Sequence, residues 1–490
     1  MSGGFELRGK HVLVIGLART GIATARFCAE HGATVTAMDT HGESELGAEV
    51  LHLREEGVQL ELGGHPESSL LKQDLVIPSP GVPADAPVLQ AARAKGITVW
   101  SEIELADRFL DGRLIGITGS NGKTTTTSLV HHILRVAGFS TLIAGNIGTP
   151  MISRVALTSA DTIMVAELSS FQLELIETFH PDIAVLLNLT PDHLDRHGTM
   201  EAYTAAKARL FEKQTESDFA VLNADDPAVV NLVPKRPRVY WFSRKQPVLR
   251  GAYLREEEIV FRTSKQEEVL LKRQEISLPG THNLENVLAA VTAARLEGAA
   301  VAAIAEAVRT FPGVEHRLEF VVEIAGVRYY NDSKATNVDA TLKALEAFPG
   351  RVLVILGGKD KGSDYSALQT ALRERSVLAL LIGAAAEKIE QQIAGSVATE
   401  RAGTMERAVE MASQAARRGD VVLLAPACAS FDQFENYEHR GQLFKELVHK
   451  REQEQSTGAA GATELDGAKT VTSQSDSDPN GKANKRAETA

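Results

Sequence analysis

Short apolar runs alternate with longer amphipathic stretches along most of the chain. In the first hundred residues the apolar runs lie at residues 11–15, 34–38, 74–77 and 97–100, and a helical pattern occupies residues 20–31. Runs of this length are typical of strands buried in a parallel sheet, and the stretches between them suit crossover helices. The pattern predicts a Rossmann-like α/β domain at residues 1–107.

The same alternation continues through the middle of the chain. Strand-like runs lie at residues 114–118, 141–144, 162–166, 183–187 and 219–222, and helical patterns lie at residues 283–296 and 301–310. Between these two groups, the charge-rich segment 250–273 has the shorter, mixed pattern of antiparallel strands. We therefore predict a central α/β domain at residues 108–314.

The pattern starts again after residues 311–317. Buried strands are predicted at residues 352–356, 377–381 and 421–424, which gives a third domain, again Rossmann-like, at residues 315–450. Residues 451–490 lack apolar periodicity and are predicted to be a disordered tail. The expected fold class is α/β, with three domains in series.

Composition narrows the class of protein. The 490 residues are 43% hydrophobic and 24% charged, and the net charge of −12 argues against a nucleic-acid-binding surface. No run approaches the roughly 18 apolar residues of a spanning helix, and the N-terminus lacks an export signal, so we expect a cytoplasmic protein without membrane insertion. Cys28 and Cys428 lie in apolar segments and are expected to be buried free thiols.

The strongest chemical signal is the segment Gly-Ser-Asn-Gly-Lys-Thr-Thr at residues 119–125. It lies between a predicted strand and a predicted helix, as a phosphate-binding loop does, with backbone N–H groups and Lys123 for phosphates and the Thr124 hydroxyl for Mg²⁺. A longer form of this loop has glycine where Ile117 stands, so the match is to a shorter form. A tight turn without a ligand is the alternative; the strand–loop–helix context favours nucleotide binding.

Other polar residues end the neighbouring predicted strands. Glu167 follows one strand and His193 another, so both are expected at the sheet edge beside the phosphate loop, where they could bind Mg²⁺. A solvated loop is the alternative for His193, and an exposed helix face is the alternative for Lys207. Asn283 and Asn286 share one helix face. They could read an adenine edge, or Asn283 could cap the helix, and the pattern leaves both interpretations open.

The first and third domains have polar turns of their own. Residues 16–21 resemble a dinucleotide fingerprint, but Ala18 replaces a required glycine, so NAD is disfavoured. With Asp39 and Ser79 at later strand ends, the turn predicts a site for a diphosphate-bearing ligand, or a turn with a packing role only. In the third domain three polar loops, at residues 330–337, 357–361 and 426–434, predict a site for a small acidic substrate.

These motifs, in this order, resemble the ATP-dependent Mur ligases of bacterial peptidoglycan synthesis, over residues 8–450. The phosphate loop is shared with folylpolyglutamate synthases, whereas residues 331–337 and 427–434 match the members that add D-glutamate. The resemblance implies ligation of D-glutamate to UDP-N-acetylmuramoyl-L-alanine through an acyl phosphate, by a monomer with small-molecule substrates only. The alternative is a superfamily member with a different amino-acid substrate.

The resemblance also implies roles for particular residues. The uridine-diphosphate substrate is expected at Leu17, Ala18, Asp39, Thr40, Ser79 and Asn146. ATP is expected at Gly119, Ser120, Asn121, Gly122, Lys123, Thr124, Thr125, Asn283, Asn286, Arg317 and Asp332. D-glutamate is expected at Lys334, Thr336, Lys361, Ser430, Phe434 and Tyr437, the last being Phe in much of the family. Lys123, Glu167, His193 and Lys207 are the expected catalytic residues.

Two Mg²⁺ ions are implied as well. The resemblance puts one near Thr124 and Glu167 and the other near His193, supported by a carbamate on Lys207. Carbamylation turns a cation into an anion, which explains a lysine facing a metal. The sequence lacks the signatures of two other classes of protein. A GTPase needs an Asn-Lys-x-Asp segment after a strand, and a dehydrogenase needs glycine at position 18. An inactive homologue is disfavoured because all four expected catalytic residues are present.

Overall fold

A computed structural model describes residues 5–64, 67–70, 72–360 and 362–467. The first sheet has five parallel strands in the order β3-β2-β1-β4-β5. These strands are β1 (His11–Ile15), β2 (Thr34–Asp39), β3 (Gln59–Leu62), β4 (Leu75–Pro78) and β5 (Thr98–Val99). The helices around it are α1 (Arg19–Glu30), α2 (Ala48–His52), α3 (Pro87–Ala94) and α4 (Glu102–Phe109).

Strand β1 shows why this sheet forms. Val12 and Val14 pack into one apolar cluster, whereas Leu13 and Ile15 pack into another, so both faces of the strand are buried. An uninterrupted apolar run is what such a strand requires. Strand β3 was not predicted, because its sequence Gln-Leu-Glu-Leu is only four residues long and is only partly buried at the sheet edge.

The second sheet has nine strands in the order β14-β13-β12-β11-β10-β9-β6-β8-β7. They are β6 (Arg113–Thr118), β7 (Thr141–Gly145), β8 (Ile163–Glu167), β9 (Ile183–Leu186), β10 (Phe219–Asn223), β11 (Arg238–Ser243), β12 (Gly251–Arg255), β13 (Glu258–Arg262) and β14 (Glu267–Lys272). The helices are α5 (Lys123–Val136), α6 (Ser170–Leu173), α7 (Leu194–His197), α8 (Met200–Ala208), α9 (Pro227–Val230), α10 (Thr281–Leu296) and α11 (Val301–Thr310). Strands β12 to β14 pair antiparallel, as predicted for the charge-rich segment.

The third sheet has six strands in the order β15-β16-β20-β17-β18-β19. They are β15 (Glu319–Ile324), β16 (Val327–Asn331), β17 (Val352–Gly357), β18 (Ser376–Ile382), β19 (Thr399–Gly403) and β20 (Val421–Leu424). The helices are α12 (Val338–Glu346), α13 (Gln369–Arg375), α14 (Ala386–Gln392), α15 (Met405–Ala415) and α16 (Tyr437–Gly467). By chain packing, Met1–Val314 with the first two sheets forms one unit, and Glu315–Ala490 forms another.

Three sheets, each with its own helices, follow one another along the chain, which confirms the predicted α/β fold class. The start of the predicted tail differs, because residue 451 lies inside α16, which continues to Gly467. Ion pairs between side chains three residues apart, His449 with Glu452 and Arg451 with Glu454, support this polar part of the helix without apolar burial. Residues 468–490 lie outside the described part of the chain.

Two smaller expectations can also be compared with the structure. Cys28 and Cys428 are both buried and free, as predicted. Among the described residues, the helices are all too short or too polar to cross a membrane.

Candidate functional site

The phosphate loop has the backbone that its sequence requires. Gly119 and Gly122 have φ angles of 152° and 83°, in the region that favours glycine, and a Cβ at Gly122 would overlap the side-chain oxygen of Asn286. Helix α5 begins directly after the loop, at Lys123, so its N-terminal N–H groups point toward the loop. The glycines therefore serve both the turn and a close approach by α10.

Side chains from the loop after β9 hold the phosphate loop in place. The Asn188 side chain accepts a hydrogen bond from Asn121 N at 2.8 Å and donates one to Asn121 O at 3.1 Å. The Ser120 hydroxyl donates to Thr190 O at 2.9 Å and lies 3.0 Å from the Tyr203 hydroxyl. The Asn121 N–H and the Ser120 hydroxyl are thus used to fix the loop itself.

Two lysines approach the same carbonyl oxygen of the loop. Lys123 Nζ donates to Gly119 O at 2.8 Å and to Ser120 O at 2.9 Å, and Lys207 Nζ donates to Gly119 O at 3.0 Å and to Thr118 Oγ1 at 3.2 Å. Lys207 is 1% exposed, which rules out the exposed helix face considered for it. Burial, reinforced by the Lys123 charge and opposed by Asp192 and Glu167, lowers the pKa of Lys207 to about 7.

Glu167 ends β8 beside the phosphate loop. The sheet register pairs it with Ile117, two residues before Gly119. Its Oε1 accepts a hydrogen bond from Asn146 Nδ2 at 2.9 Å, while its Oε2 is buried with no hydrogen-bond partner. A buried carboxylate oxygen without a donor is costly, and a cation or a metal-bound water would satisfy it. Glu167 therefore fits the expected role at a metal, and Asn146 orients it.

His193 lies at the same edge but on a more open loop. Its side chain is half exposed, its φ of 51° is left-handed, and its ring lies 4.8 Å from the Phe171 ring. Within the described residues, no group of three or more His, Cys, Asp or Glu side chains is arranged to hold a metal ion. A metal here would need other oxygen ligands, such as the Thr124 hydroxyl, a modified Lys207 or phosphate oxygens.

Asn283 and Asn286 lie on one face of α10, as predicted, and both are buried. The helix begins at Thr281 after Gly280, so Asn283 is not its cap; the Asn283 amide donates to Pro279 O at 2.7 Å. Asn286 Nδ2 donates to Asn283 Oδ1 at 3.0 Å, and Asn286 Oδ1 lies 3.4 Å from Thr126 Oγ1. The pair therefore links α10 to the helix of the phosphate loop.

The predicted diphosphate site lies where strand order reverses in the first sheet. The turns after β1 and β4 meet there, and Ser79 Oγ donates to Gly16 O at 2.6 Å. Such crevices are the usual ligand sites of open α/β sheets. The Asp39 carboxylate accepts hydrogen bonds from Leu17 N at 2.7 Å and His41 N at 3.0 Å; these bonds and the His41 ring outweigh partial burial and lower the pKa of Asp39.

Two other residues expected at the uridine-diphosphate substrate lie at the ends of neighbouring elements. Ala18 is the residue that precedes α1, and Thr40 is exposed at the end of β2. Arg19, which was not selected from the sequence, donates from its side chain to Gly148 O at 2.8 Å, in the turn that also contains Asn146. The first turn is therefore tied to the central domain beside a predicted substrate contact.

Arg196 makes a second link of this kind. Its guanidinium donates to Pro80 O at 3.1 Å, Val82 O at 3.0 Å and the Glu174 carboxylate at 3.0 Å. It also lies over the Phe171 ring, 4.4 Å from the ring centre. Arg196 thus joins the helix that follows His193 to the turn that contains Ser79. The sequence offered no signal for this role beyond a polar loop.

The three polar loops of the third domain follow adjacent parallel strands. They come after β16, β20 and β17, which are neighbours in the sheet. Backbone hydrogen bonds join them: Ala427 N donates to Ala335 O at 2.9 Å, and Lys359 N donates to Ala429 O at 2.8 Å. The parallel order brings the three loops to one edge of the sheet, as the sequence predicted.

Two expected ATP contacts lie at the start of this domain. His316 and Leu318, on either side of Arg317, have left-handed φ angles of 62° and 42°. Such strain persists only where surrounding contacts impose it, and it often marks functional sites. Arg317 Nε is buried without a hydrogen-bond partner, and burial, partly offset by the Arg317 charge, raises the pKa of Asp332 to about 7.

The expected D-glutamate residues occupy the three loops and the start of α16. Ser430 is buried and its carbonyl accepts a hydrogen bond from Phe434 N at 2.9 Å, while Thr336 N donates to Lys334 O at 2.9 Å. The Lys334 ammonium lies 5.7 Å from the centre of the Tyr437 ring. Lys361 lies outside the described residues.

Comparison with known proteins adds independent findings. A MurD-like N-terminal Mur ligase domain model matches residues 10–101, a Mur ligase middle domain model matches residues 117–294, and a Mur ligase glutamate ligase domain model matches residues 316–428. The UDP-N-acetylmuramoylalanine–D-glutamate ligase of Koribacter versatilis is 54% identical over 446 residues, 91% of this chain and 98% of the relative. The enzyme of that name from Pelotomaculum thermopropionicum is 46% identical, over 90% of this chain and 97% of the relative.

Solved structures agree on the fold. The MurF ligase of Thermotoga maritima in complex with ADP has a TM-score of 0.56 at 18% identity, over 91% of this chain and 96% of that protein. The UDP-N-acetylmuramate-alanine ligase MurC of the same organism has a TM-score of 0.55 at 19% identity, over 90% and 99%. At this level of identity the likeness concerns the fold alone.

Proposed function

The chain belongs to the Mur ligase family, and we propose that it joins D-glutamate to UDP-N-acetylmuramoyl-L-alanine with ATP as the source of energy. Relatives with that activity in their names match about nine-tenths of the chain at 46–54% identity. That match over all three domains is the observation that carries the proposal. It also disfavours the alternative of a superfamily member with a different amino-acid substrate.

We assign the three substrates to the three predicted domains. The uridine-diphosphate end of the substrate binds residues 1–107, at the turns after β1 and β4, together with Asn146. ATP binds residues 108–314 at the phosphate loop, and D-glutamate binds residues 315–450. The reversal of strand order in the first sheet, the glycine loop at α5 and the three adjacent polar loops support this assignment.

The chemistry follows from the poor reactivity of a carboxylate. Hydroxide is a poor leaving group, so transfer of the ATP γ-phosphoryl group to the alanyl carboxylate is needed to give an acyl phosphate. The amine of D-glutamate then attacks the acyl carbon, and the tetrahedral intermediate loses phosphate. No side-chain nucleophile is required. Positioning of the reactants and stabilisation of negative charge therefore supply the rate enhancement.

Lys123 is the main cation that this chain offers to the transferred phosphoryl group. In the structure its ammonium lies on the carbonyl oxygens of Gly119 and Ser120, so it is already held at the loop. The N–H groups at the start of α5 supply further donors. We assign Lys123 to charge stabilisation during transfer and the Thr124 hydroxyl to a metal.

We propose that two Mg²⁺ ions take part. Glu167, with its unpartnered buried oxygen, and Thr124 would hold one ion, and His193 would help to hold the other. When bound, these ions supply positive charge to the phosphate oxygens. The half-exposed His193 side chain has room to turn toward a ligand, and Asn146 keeps Glu167 in place.

We further propose that Lys207 is carbamylated in the active enzyme. Only the neutral amine reacts with CO₂, and burial beside Lys123 lowers the pKa of Lys207 enough to populate that form near neutral pH. The carbamate would replace a buried cation by an anion beside Lys123. It would thereby remove a like-charge repulsion and add a metal ligand.

For D-glutamate, we assign its two carboxylates to the cations and hydroxyls of the third domain. Lys361 and Ser430 would bind the side-chain carboxylate, while Lys334 and Thr336 would orient the other. Phe434 and Tyr437 would border the site. Charge-assisted hydrogen bonds of this kind are stronger than neutral ones, which suits a small dianionic ligand.

One copy of the chain carries every residue in these assignments, so we propose a monomer, which sedimentation of the purified protein would test. Dependence on ATP and two buried free thiols suit a cytoplasmic location.

The activity is tested by phosphate release from ATP. We expect release only when UDP-N-acetylmuramoyl-L-alanine, D-glutamate and Mg²⁺ are all present, with one ligated product formed per phosphate. Omission of D-glutamate should stop turnover. Release that does not depend on the uridine substrate would contradict the proposal.

A further inference from the structure

Arg440 is a buried cation to which the proposed mechanism gives no role. It lies in the first turn of α16 and is 0% exposed, which makes it the largest fully buried side chain among the described residues. No carboxylate of the described residues forms a salt bridge with it; its hydrogen-bond acceptors are one hydroxyl and two carbonyl oxygens. A buried charge without an ionic partner is costly to the fold, so its presence calls for an explanation.

The guanidinium joins two of the polar loops. Arg440 Nε donates to Ser333 Oγ at 3.0 Å, and a terminal nitrogen donates to Ser333 O at 2.8 Å. The other terminal nitrogen donates to Cys428 O at 3.1 Å. Ser333 lies one residue before Lys334, and Cys428 lies two residues before Ser430. One side chain therefore fixes the distance between the two loops.

The third loop also lies against this guanidinium. A Cβ at Gly358 would overlap the carbonyl oxygen of Ala429 and come within 3.2 Å of an Arg440 terminal nitrogen. The same loops are tied by Tyr365, whose hydroxyl donates to Asp360 Oδ1 at 2.8 Å and lies 3.0 Å from Cys428 Sγ. Gly358 is thus a position where only glycine lets the three loops meet around Arg440.

The shape of the guanidinium explains why arginine occupies this position. Its planar fork presents donors in several fixed directions, whereas a lysine ammonium is a compact point charge on a flexible stem. Ser333 Oγ in turn donates to Tyr437 O at 2.8 Å, which fixes the first turn of α16 to the same loop. Burial lowers the pKa of Arg440 to about 10, so it stays charged at neutral pH.

We propose that Arg440 is a positioning residue for the amino-acid substrate: its fork holds the Ser333 and Cys428 loops at the separation that lets their side chains grip both carboxylates of D-glutamate. This inference rests on the proposed function. It predicts a defect in amino-acid binding rather than in nucleotide binding.

The test compares Arg440→Lys with the unsubstituted full-length enzyme. We expect the variant to fold and to raise the KM for D-glutamate about ten- to hundredfold, as loss of charge-assisted hydrogen bonds does. The KM values for ATP and for the uridine substrate should stay within about twofold. Arg451→Lys is the matched control, because Arg451 lies on the same helix and pairs with Glu454. It should leave all three values unchanged.

Ser333→Ala provides a second, milder variant, which tests the positioning role of Arg440 if Arg440→Lys does not melt cooperatively. It removes one acceptor of the fork and should raise the KM for D-glutamate about threefold or more. A folded variant with an unchanged KM for D-glutamate, or with equal increases for all three substrates, would overturn the positioning role. If the unsubstituted enzyme ligates a different amino acid, the proposed function fails, and the same comparison made with that amino acid still tests Arg440.

Discussion

The phosphate loop of the central domain and the polar loops of the third domain are built in different ways. The phosphate loop is one continuous segment whose Lys123 donates to carbonyl oxygens of the same loop, while Asn188 holds the loop from the outside. The third-domain loops are three separate segments, held together by Arg440 and Tyr365 from elsewhere in the sequence. In our proposal, the phosphate chemistry is carried by one segment, whereas the choice of amino acid depends on contacts between segments that lie far apart in the sequence.

This difference predicts which kinetic constant changes when each region is mutated. Substitutions in the phosphate loop should lower kcat whichever amino acid is supplied, because phosphoryl transfer precedes the step that uses the amino acid. Changes that disturb the third-domain loops should act mainly on the KM for the amino acid.

Substitution Lys123→Ala should lower kcat by about a hundred- to a thousandfold, because removal of one preorganised donor to a developing negative charge commonly costs two to three decades. The fold should be preserved, since Lys123 is a partly buried residue at the first position of α5 and is not part of the apolar core. Phosphate release and thermal melting measure the two effects. Lys235→Ala, at an exposed loop position, is the control. A well-folded variant that retains ligation would remove the loop from the mechanism.

The proposed carbamylation of Lys207 predicts that activity depends on pH and on bicarbonate. Because the pKa of Lys207 is lowered to about 7, its neutral form decreases as pH falls through that value, and with it the carbamate. We expect activity at pH 6 to increase when bicarbonate is added, and ¹³C-bicarbonate to give a carbamate signal. Lys207→Arg, which cannot be modified in this way, should lose activity by about a hundredfold. Full activity in that variant would refute the modification.

Substitution Arg196→Lys should raise the KM for the uridine substrate about tenfold, because a lysine cannot reach Pro80 O, Val82 O and Glu174 together. The KM for D-glutamate should remain the same, which contrasts with the result expected for Arg440. Arg273→Lys, a partly exposed residue that lies 3.7 Å from Glu257, serves as the control. Steady-state kinetics with each substrate varied in turn would measure both KM values. Equal changes in the two KM values would contradict a specific role of Arg196 at the uridine-substrate site.

Truncation after Gln455 should have the smallest effect, a rate within about twofold of the full chain. The removed residues 456–490 contain only two large apolar side chains, Leu465 and Val471, so their composition predicts little contribution to a core. The kcat of the shortened enzyme provides the measurement. A large decrease would mean that the removed segment docks on a domain.

The sequence predicted those features that a local pattern encodes. Buried strands such as β1 and β17 are continuous apolar runs, and the glycine loop lies between a strand and a helix. Strands β3 and β19 were missed, since neither contains a fully buried residue and their short, mixed sequences resemble loops. Nothing in the pattern distinguished Arg440 from the other polar residues of α16, because its role depends on contacts with residues 12 and 107 positions away.

We propose that this chain selects D-glutamate over other amino acids. The most direct measurement is kcat/KM for D-glutamate against L-glutamate, glycine, L-alanine and a diamino acid, with the uridine substrate and ATP saturating. A site that binds both carboxylates by hydrogen bonds rejects ligands that lack one by several decades. We expect a preference for D-glutamate of at least about a thousandfold over glycine, L-alanine and a diamino acid with one carboxylate, and also a preference over L-glutamate, whose amine is misplaced when both carboxylates are bound. Equal or better use of any other amino acid would contradict it.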